Sequence, residues 1–149
     1  MKNIADIRQE YTKSGLRESE LPCDPLSLFS RWLQEAIDAN VEEPTAVIVG
    51  TVSPEGRPST RTVLLKGLHD GKFIFYTNYE SRKGRQLAQN PYISLSFVWH
   101  ELERQVHIEG TAAKVSPEDR TNISGSALIK AASVHVFLHK ASLSQAGCN

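Results

Sequence analysis

The chain has 149 residues with 17 basic and 17 acidic side chains, so its formal net charge is zero. That length suits one domain with a real core rather than two, and 40% hydrophobic with 23% charged residues is ordinary for a globular protein. Zero net charge gives no global field to attract nucleic acid or an anionic membrane, no apolar run approaches the roughly 20 residues of a membrane span, and MKNIADIRQEY does not read as a signal peptide. Cys23 and Cys148 make neither a metal spacing nor a disulfide framework, which points to a reducing cytoplasm.

Residues 1–23 are polar, with Ile4, Ile7, Tyr11 and Leu16 as scattered anchors. A helix follows: Asp24 is a good N-cap, Pro25 suits the first helical position, and Leu26, Phe29, Trp32, Leu33, Ala36 and Ile37 recur at helical spacing until Asp38–Asn40. Trp32 on that stripe reads as core. From residue 46 the period changes to strands. AVIVGTV (46–52) is a short buried strand, SPEGRP (53–58) a hairpin turn, and residues 60–65 the return strand. His69, Asp70 and Gly71 signal a turn before the strand 73–77. A helix of about 82–89 is broken by Asn90 and Pro91, and strands at 92–99 and 104–115 follow. His100 and His107 read as structural. Five or six mostly antiparallel strands with one inserted helix predict a small closed or nearly closed barrel.

The stretch RTVLLKGLHDGKFIFYTNYESRK (61–83) carries the chemistry. Arg61 and Lys66 flank an apolar run, Ser81 is a helix N-cap, and Arg82, Lys83 and Arg85 crowd the first turn of that helix. Cations there oppose the helix dipole by a few tenths to about 1 kcal/mol each. Free backbone N–H groups beside guanidinium and ammonium groups make a phosphate site, whereas a lone SRK is also what a solvated basic face looks like. Adjacent strands bringing Arg61 and Lys66 to the same end of a sheet favour the phosphate site.

Composition then changes. All 17 acids lie in 1–120, and residues 121–149 contain no acid, Arg, Pro, Tyr or Trp. At the upstream rate a stretch that long without an acid has odds of roughly one in a hundred. The tail has Ala, Ser and Val clusters but no clear period, cap or turn chemistry, and it looks unlike the rest.

The pieces RQEYTKSGLRESELPCDPLSLFSRWL, RTVLLKG, FYTNYESRKGRQL and SFVWHELERQVHIEG, in this order and spacing, resemble the pyridoxamine 5′-phosphate oxidase family over about four-fifths of the chain. The resemblance implies a mainly β, FMN-binding split β-barrel of antiparallel, Greek-key-like form, incomplete at the C-terminus. It also implies a homodimer with FMN between the subunits. Carried over by position, Arg61, Thr62, Val63, Leu64, Leu65 and Lys66 supply flavin contacts, with Arg61 toward the phosphate and Lys66 near the ring and the substrate. Tyr76 and Thr77 touch the flavin, Arg82 and Lys83 hold its phosphate, and Gln105 reaches the ring from the partner side. Arg8, Gln9, Glu10 and Tyr11 match a segment that covers the substrate. The implied reaction is FMN-dependent oxidation of pyridoxamine or pyridoxine 5′-phosphate to pyridoxal 5′-phosphate, with dioxygen as acceptor. It calls for no metal, nucleic acid or membrane, and no acid–base dyad is found in the retained part.

The resemblance divides the chain into 1–120, holding the N-terminal arm, helix and barrel, and a non-homologous tail, 121–149. There the family resembles YFxxRPxxSxIGAxxSxQS, which supplies substrate-phosphate contacts and a flavin-binding Gln-Ser pair; this chain has TNISGSALIKAASVHVFLHKASLSQAGCN. Permitted codons for that tail, read from the third base of the Thr121 codon, give EYFRKRPYKSRIGACVSPQSQFVPSRVQ. The tail therefore reads as an out-of-frame translation of an oxidase gene. Loss of the family's closing strands and of half the site predicts exposed sheet edges, weak or no FMN binding and little activity. Two other classes share the cations. A non-catalytic flavin- or pyridoxal-phosphate-binding barrel would be yellow without releasing peroxide, and a nucleic-acid-binding barrel would show salt-dependent binding to single strands. Resequencing the gene across codons 118–122 is expected to show the shifted frame, and an uninterrupted frame with no homologous shifted continuation would refute it.

Overall fold

The computed structural model describes residues 24–115, the backbone of 132–145, and Asn3, Ile4, Ile7, Glu10, Leu21 and Pro22. Its elements run α1 (Pro25–Asp38), β1 (Ala46–Val52), β2 (Pro58–His69), β3 (Lys72–Thr77), α2 (Arg82–Gln89), β4 (Tyr92–Trp99), β5 (Arg104–Lys114) and β6 (Ala132–Gln145). The six strands close a ring in the order β1-β2-β3-β6-β5-β4, every neighbour antiparallel.

Local chemistry sets the boundaries. The Asp24 carboxylate accepts from the backbone N–H groups of Leu26 and Ser27, both at 3.1 Å, and Pro25 opens α1 as its composition predicts. The β2–β3 hairpin turns through Asp70 and Gly71 at φ 49° and 73°, the left-handed geometry that a two-residue turn requires. Two strands run longer than expected at their turn ends, β2 from Pro58 to His69 and β3 from Lys72.

α1 seals one end of the barrel. Phe29 packs against Phe73 at 5.0 Å between ring centroids, Phe97 at 4.9 Å and Trp99 at 6.1 Å, and Leu28, Trp32 and Ala36 are buried beside it. Trp32 is core, as its place on the stripe predicts, and the Arg104 guanidinium lies 4.8 Å from its ring centroid while pairing with Glu35 of α1. The Trp99 indole N–H donates to the Pro44 carbonyl at 2.9 Å, so the largest buried ring leaves no polar atom unmet.

The tail departs from expectation. Residues 132–145 form β6, which pairs with β3 on one side and β5 on the other, so the sheet edges expected from lost closing strands are joined. The alternation is hidden in the sequence by a register shift. Val134, Val136 and Leu138 are spaced by two and partner Lys114, Ala112 and Gly110; beyond the skip at His139, Ala141 and Leu143 partner Ile108 and Val106. One extra residue breaks the period-2 pattern that betrays a strand.

Phe29→Ala is expected to cost about 3–5 kcal/mol in chemical denaturation, because it empties the contact between α1 and three aromatic rings. A loss under about 1 kcal/mol would show that α1 does not hold the barrel together.

Candidate functional site

The barrel interior changes chemistry along its axis. Inward positions of β1 run Val47, Val49, Thr51; those of β3 run Phe73, Phe75, Thr77; and those of β2, read back along the strand, run Leu65, Val63, Arg61, Ser59. Period-2 alternation thus carries one apolar series from the α1 end to hydroxyls and a cation at the other.

Arg61 is half-buried there and held by neutral oxygens only. Its Nη1 donates to the Thr51 hydroxyl at 2.7 Å and the Val49 carbonyl at 3.3 Å, and its Nη2 donates to the Ser59 hydroxyl at 2.9 Å. Both hydroxyls then donate to one acceptor, the side-chain oxygen of buried Gln86, at 2.5 Å from Thr51 and 3.0 Å from Ser59.

α2 brings the remaining cations. The Ser81 hydroxyl accepts from the Gly84 N–H at 3.2 Å and caps the helix, whose first turn contains no acid. A Cβ at Gly84 would collide with the carbonyl oxygens of Asn78 and Tyr79, so glycine lets the turn lie flat on the preceding loop. Lys83 reaches back to donate to the Thr77 hydroxyl at 2.5 Å, and Arg82 is exposed beside it.

The three charges feel one another. Burial, and then the charge of Arg82, holds the Arg61 guanidinium below its usual range. Burial, and then the charge of Arg61, lowers the Lys83 ammonium in the same way. Among the described residues no carboxylate pairs with Arg61, Arg82 or Lys83. Three cations so placed, one of them with an Nε–H and an Nη2–H still unmatched among the described residues, suit a phosphate dianion.

The other expected contacts divide by face. Val63 and Leu65 pack with the core, which leaves only their backbone for a ligand. Thr62, Leu64 and Lys66 lie on the exposed outer face. Lys66, five residues along β2 from inward-facing Arg61, does not join the other cations at one end of the sheet as expected, because alternation turns the two side chains to opposite faces. Thr77 is buried beside Lys83 and Tyr76 is half-buried. Gln105 is exposed on β5, opposite Val98. From β2 to β5 through β1 and β4 is three strand spacings, roughly 14 Å, so Gln105 stands apart from Lys66 within one chain. Glu10 is exposed, whereas Arg8, Gln9 and Tyr11 lie outside the described residues.

Arg61, Arg82 and Lys83 line neither of two clefts formed by the described residues. One of about 190 Å³ lies between α2 and β5 at Thr77, Gly84, Arg85 and Lys114. Another of about 380 Å³ lies on the outer face at Gly50, Thr60, Tyr92, Ser94 and Glu109 and includes none of the three cations. His107 is also on the outer side, hydrogen-bonded to the Ser96 hydroxyl at 2.8 Å. Thr51, Ser59 and Gln86 escaped the sequence reading. Their signal was the spacing, because Ser59 stands two residues before Arg61 and Thr51 continues the inward series of Val47 and Val49.

The sequence model of the family described as pyridoxamine 5′-phosphate oxidase matches residues 33–143. A pyridoxine/pyridoxamine 5′-phosphate oxidase of Bacteroides thetaiotaomicron is 98% identical over 119 residues, covering 80% of this chain and 56% of the relative. One from Porphyromonas gingivalis is 58% identical over 116 residues, covering 78% and 54%. The chain thus spans about half the length of the curated relatives it matches. Among solved structures, PhzG from Burkholderia lata, in complex with tetrahydrophenazine-1-carboxylic acid, is similar with a TM-score of 0.74 at 21% identity, covering 84% of this chain and 81% of that one. A pyridoxamine 5′-phosphate oxidase-related, FMN-binding protein from Nostoc punctiforme has a TM-score of 0.66 at 15% identity, covering 83% and 86%. These two share the split-barrel fold. With its match running from Leu33 to Leu143 and its strands closed in that barrel, the chain belongs to the pyridoxamine 5′-phosphate oxidase family.

Proposed function

We propose that this chain carries the flavin-gripping part of a pyridoxine/pyridoxamine 5′-phosphate oxidase and that its own turnover is impaired. The observation that carries the reading is the group of Arg61, Arg82 and Lys83 without a carboxylate partner among the described residues. These side chains, with Thr77, hold the FMN phosphate. FMN, when bound, supplies the ring that accepts a hydride from the C4′ carbon of pyridoxamine or pyridoxine 5′-phosphate, with dioxygen as the final acceptor and hydrogen peroxide as product. Lys66 lies near the ring and the substrate, Thr62, Leu64 and Tyr76 flank the flavin, and Arg8 to Tyr11 cover the substrate.

The flavin lies between two copies of the chain. Ile48, Leu64 and Val98 expose apolar side chains on the outside of the neighbouring strands β1, β2 and β4, and such a surface suits a two-fold partner. Gln105 then serves the site of the neighbouring copy, which its distance from Lys66 favours. A reducing cytoplasm suits this chemistry; no described helix is long and apolar enough to cross a membrane.

Impairment follows from the tail. Identity of 98% over 119 residues supports a change of reading frame near residue 120, with 121–149 a substitute that still supplies β6, up to whose Leu143 the family match runs. The substitute lacks the Tyr, Arg and Ser of the family's substrate-phosphate motif. A non-catalytic flavin-binding barrel is the second reading, favoured by β6 completing the ring without that motif.

Titration of the purified protein with FMN, followed by absorbance and fluorescence, is expected to give weak binding that the double substitution Arg61→Ala and Lys83→Ala abolishes. Peroxide release with pyridoxamine 5′-phosphate is expected to be slight. Full turnover would overturn the impairment, and equal affinity for FMN and riboflavin would overturn the phosphate assignment.

Affinity for FMN should also fall on the alkaline side. Lys83 in the free protein loses its proton below the ordinary 10.5, so weakening begins before a normal lysine titrates. By the same sign, the free protein gains stability as pH rises from the depressed Lys83 value toward 10.5, because there the unfolded chain binds more protons. Lys83→Arg, which keeps its charge, should remove the alkaline fall in affinity; an unchanged profile would show that another group controls it.

A further inference from the structure

We infer that Gln86 is a positioning residue for the anion site, acting on Arg61 through the hydroxyls of Thr51 and Ser59. The inference rests on the phosphate reading above and deepens it. Four side chains close a loop of hydrogen bonds: Arg61 to Thr51 at 2.7 Å, Thr51 to Gln86 at 2.5 Å, Ser59 to Gln86 at 3.0 Å, and Arg61 to Ser59 at 2.9 Å. The guanidinium sets the direction of two of these bonds, and the placement of the Gln86 amide oxygen sets the other two. A guanidinium can only donate, so each hydroxyl must accept from Arg61 and turn its own hydrogen elsewhere. Both hydrogens go to a single amide oxygen, and that oxygen sits on a residue only 4% exposed.

Gln86 does what no other residue type of its length does here. A leucine would leave two hydroxyl donors without this acceptor at the barrel end, free to rotate and release the guanidinium. A glutamate would keep both bonds but place a carboxylate near Arg61 and cancel part of the field that attracts an anion. The neutral amide fixes the cation and leaves its charge uncompensated. Since Gln86 follows Lys83 by three residues on α2, the same helix turn sets both the ammonium and the guanidinium. The loop and the Val49 carbonyl together take both Nη1 hydrogens and one Nη2 hydrogen of Arg61, so its Nε–H and remaining Nη2–H are held in one orientation for a ligand.

The test reads the full 149-residue chain by nitrogen NMR of its arginine side chains and by binding of FMN against riboflavin. Wild-type protein should show two separate, slowly exchanging Nη signals for Arg61, assigned by their loss in Arg61→Lys. Gln86→Leu and the isosteric Thr51→Val should merge them, while Gln86→Glu should keep them separate. Gln86→Leu should also bind FMN roughly tenfold more weakly with riboflavin affinity unchanged, which a general loss of structure would not produce. The inference is overturned if the wild-type Nη signals are already averaged, if Gln86→Leu keeps them separate, or if it keeps the wild-type preference for FMN. Should Gln86→Leu fail to fold, Thr51→Val decides by the same two readouts. A wild-type protein that does not distinguish FMN from riboflavin refutes the flavin reading instead, and the Nη signals then decide the role of Gln86 alone.

Discussion

A guanidinium held at the barrel mouth by neutral oxygens alone is the constraint on which the rest of the site depends. A half-buried cation ordinarily acquires a carboxylate, because desolvation makes an unpaired charge costly. Arg61 instead takes a carbonyl and two hydroxyls, with Arg82 and Lys83 close enough to repel it. The depressed affinity of Arg61 and Lys83 for protons is the mark of that arrangement. A dianion in this place relieves all three cations, so ligand and protein charges complete one another.

The barrel makes such a concentration of charge tolerable. Three neighbouring strands deliver Thr51, Ser59, Arg61 and Thr77, and the register sets Thr51 opposite Ser59 and Val49 opposite Arg61. α2 is pressed onto the mouth by the glycine at position 84, and its N-cap serine ties it to the Asn78 carbonyl at 2.6 Å. At the opposite end the aromatic group around Phe29 supplies the apolar burial that offsets the repulsion. β6 bridges β3 and β5 through backbone pairing, so the ring closes despite a tail whose composition is unlike the rest.

Most of the architecture was legible because the periods are clean. Asp24 and Pro25 announce α1, Ser81 announces α2, and strands β1, β4 and β5 fall within a residue of where their alternation begins and ends. The cations of the site were legible for a related reason: Arg82 and Lys83 defy the helix dipole, which asks for an explanation beyond local structure. What escaped was everything that depends on pairing between distant segments. β6 was masked by its skipped residue at His139, and Thr51, Ser59 and Gln86 are unremarkable until three elements bring them around one guanidinium. Ordinary hydroxyls and amides carry no pattern of their own in a sequence.

Apolar packing and charge stand at opposite ends of this barrel, and that separation has an evolutionary consequence. Substitutions at sites that do not touch contribute nearly independently to stability. A lineage can therefore rewrite the polar mouth while the aromatic seal beneath α1 goes on holding the scaffold upright. Innovation at one pole is insulated from collapse at the other.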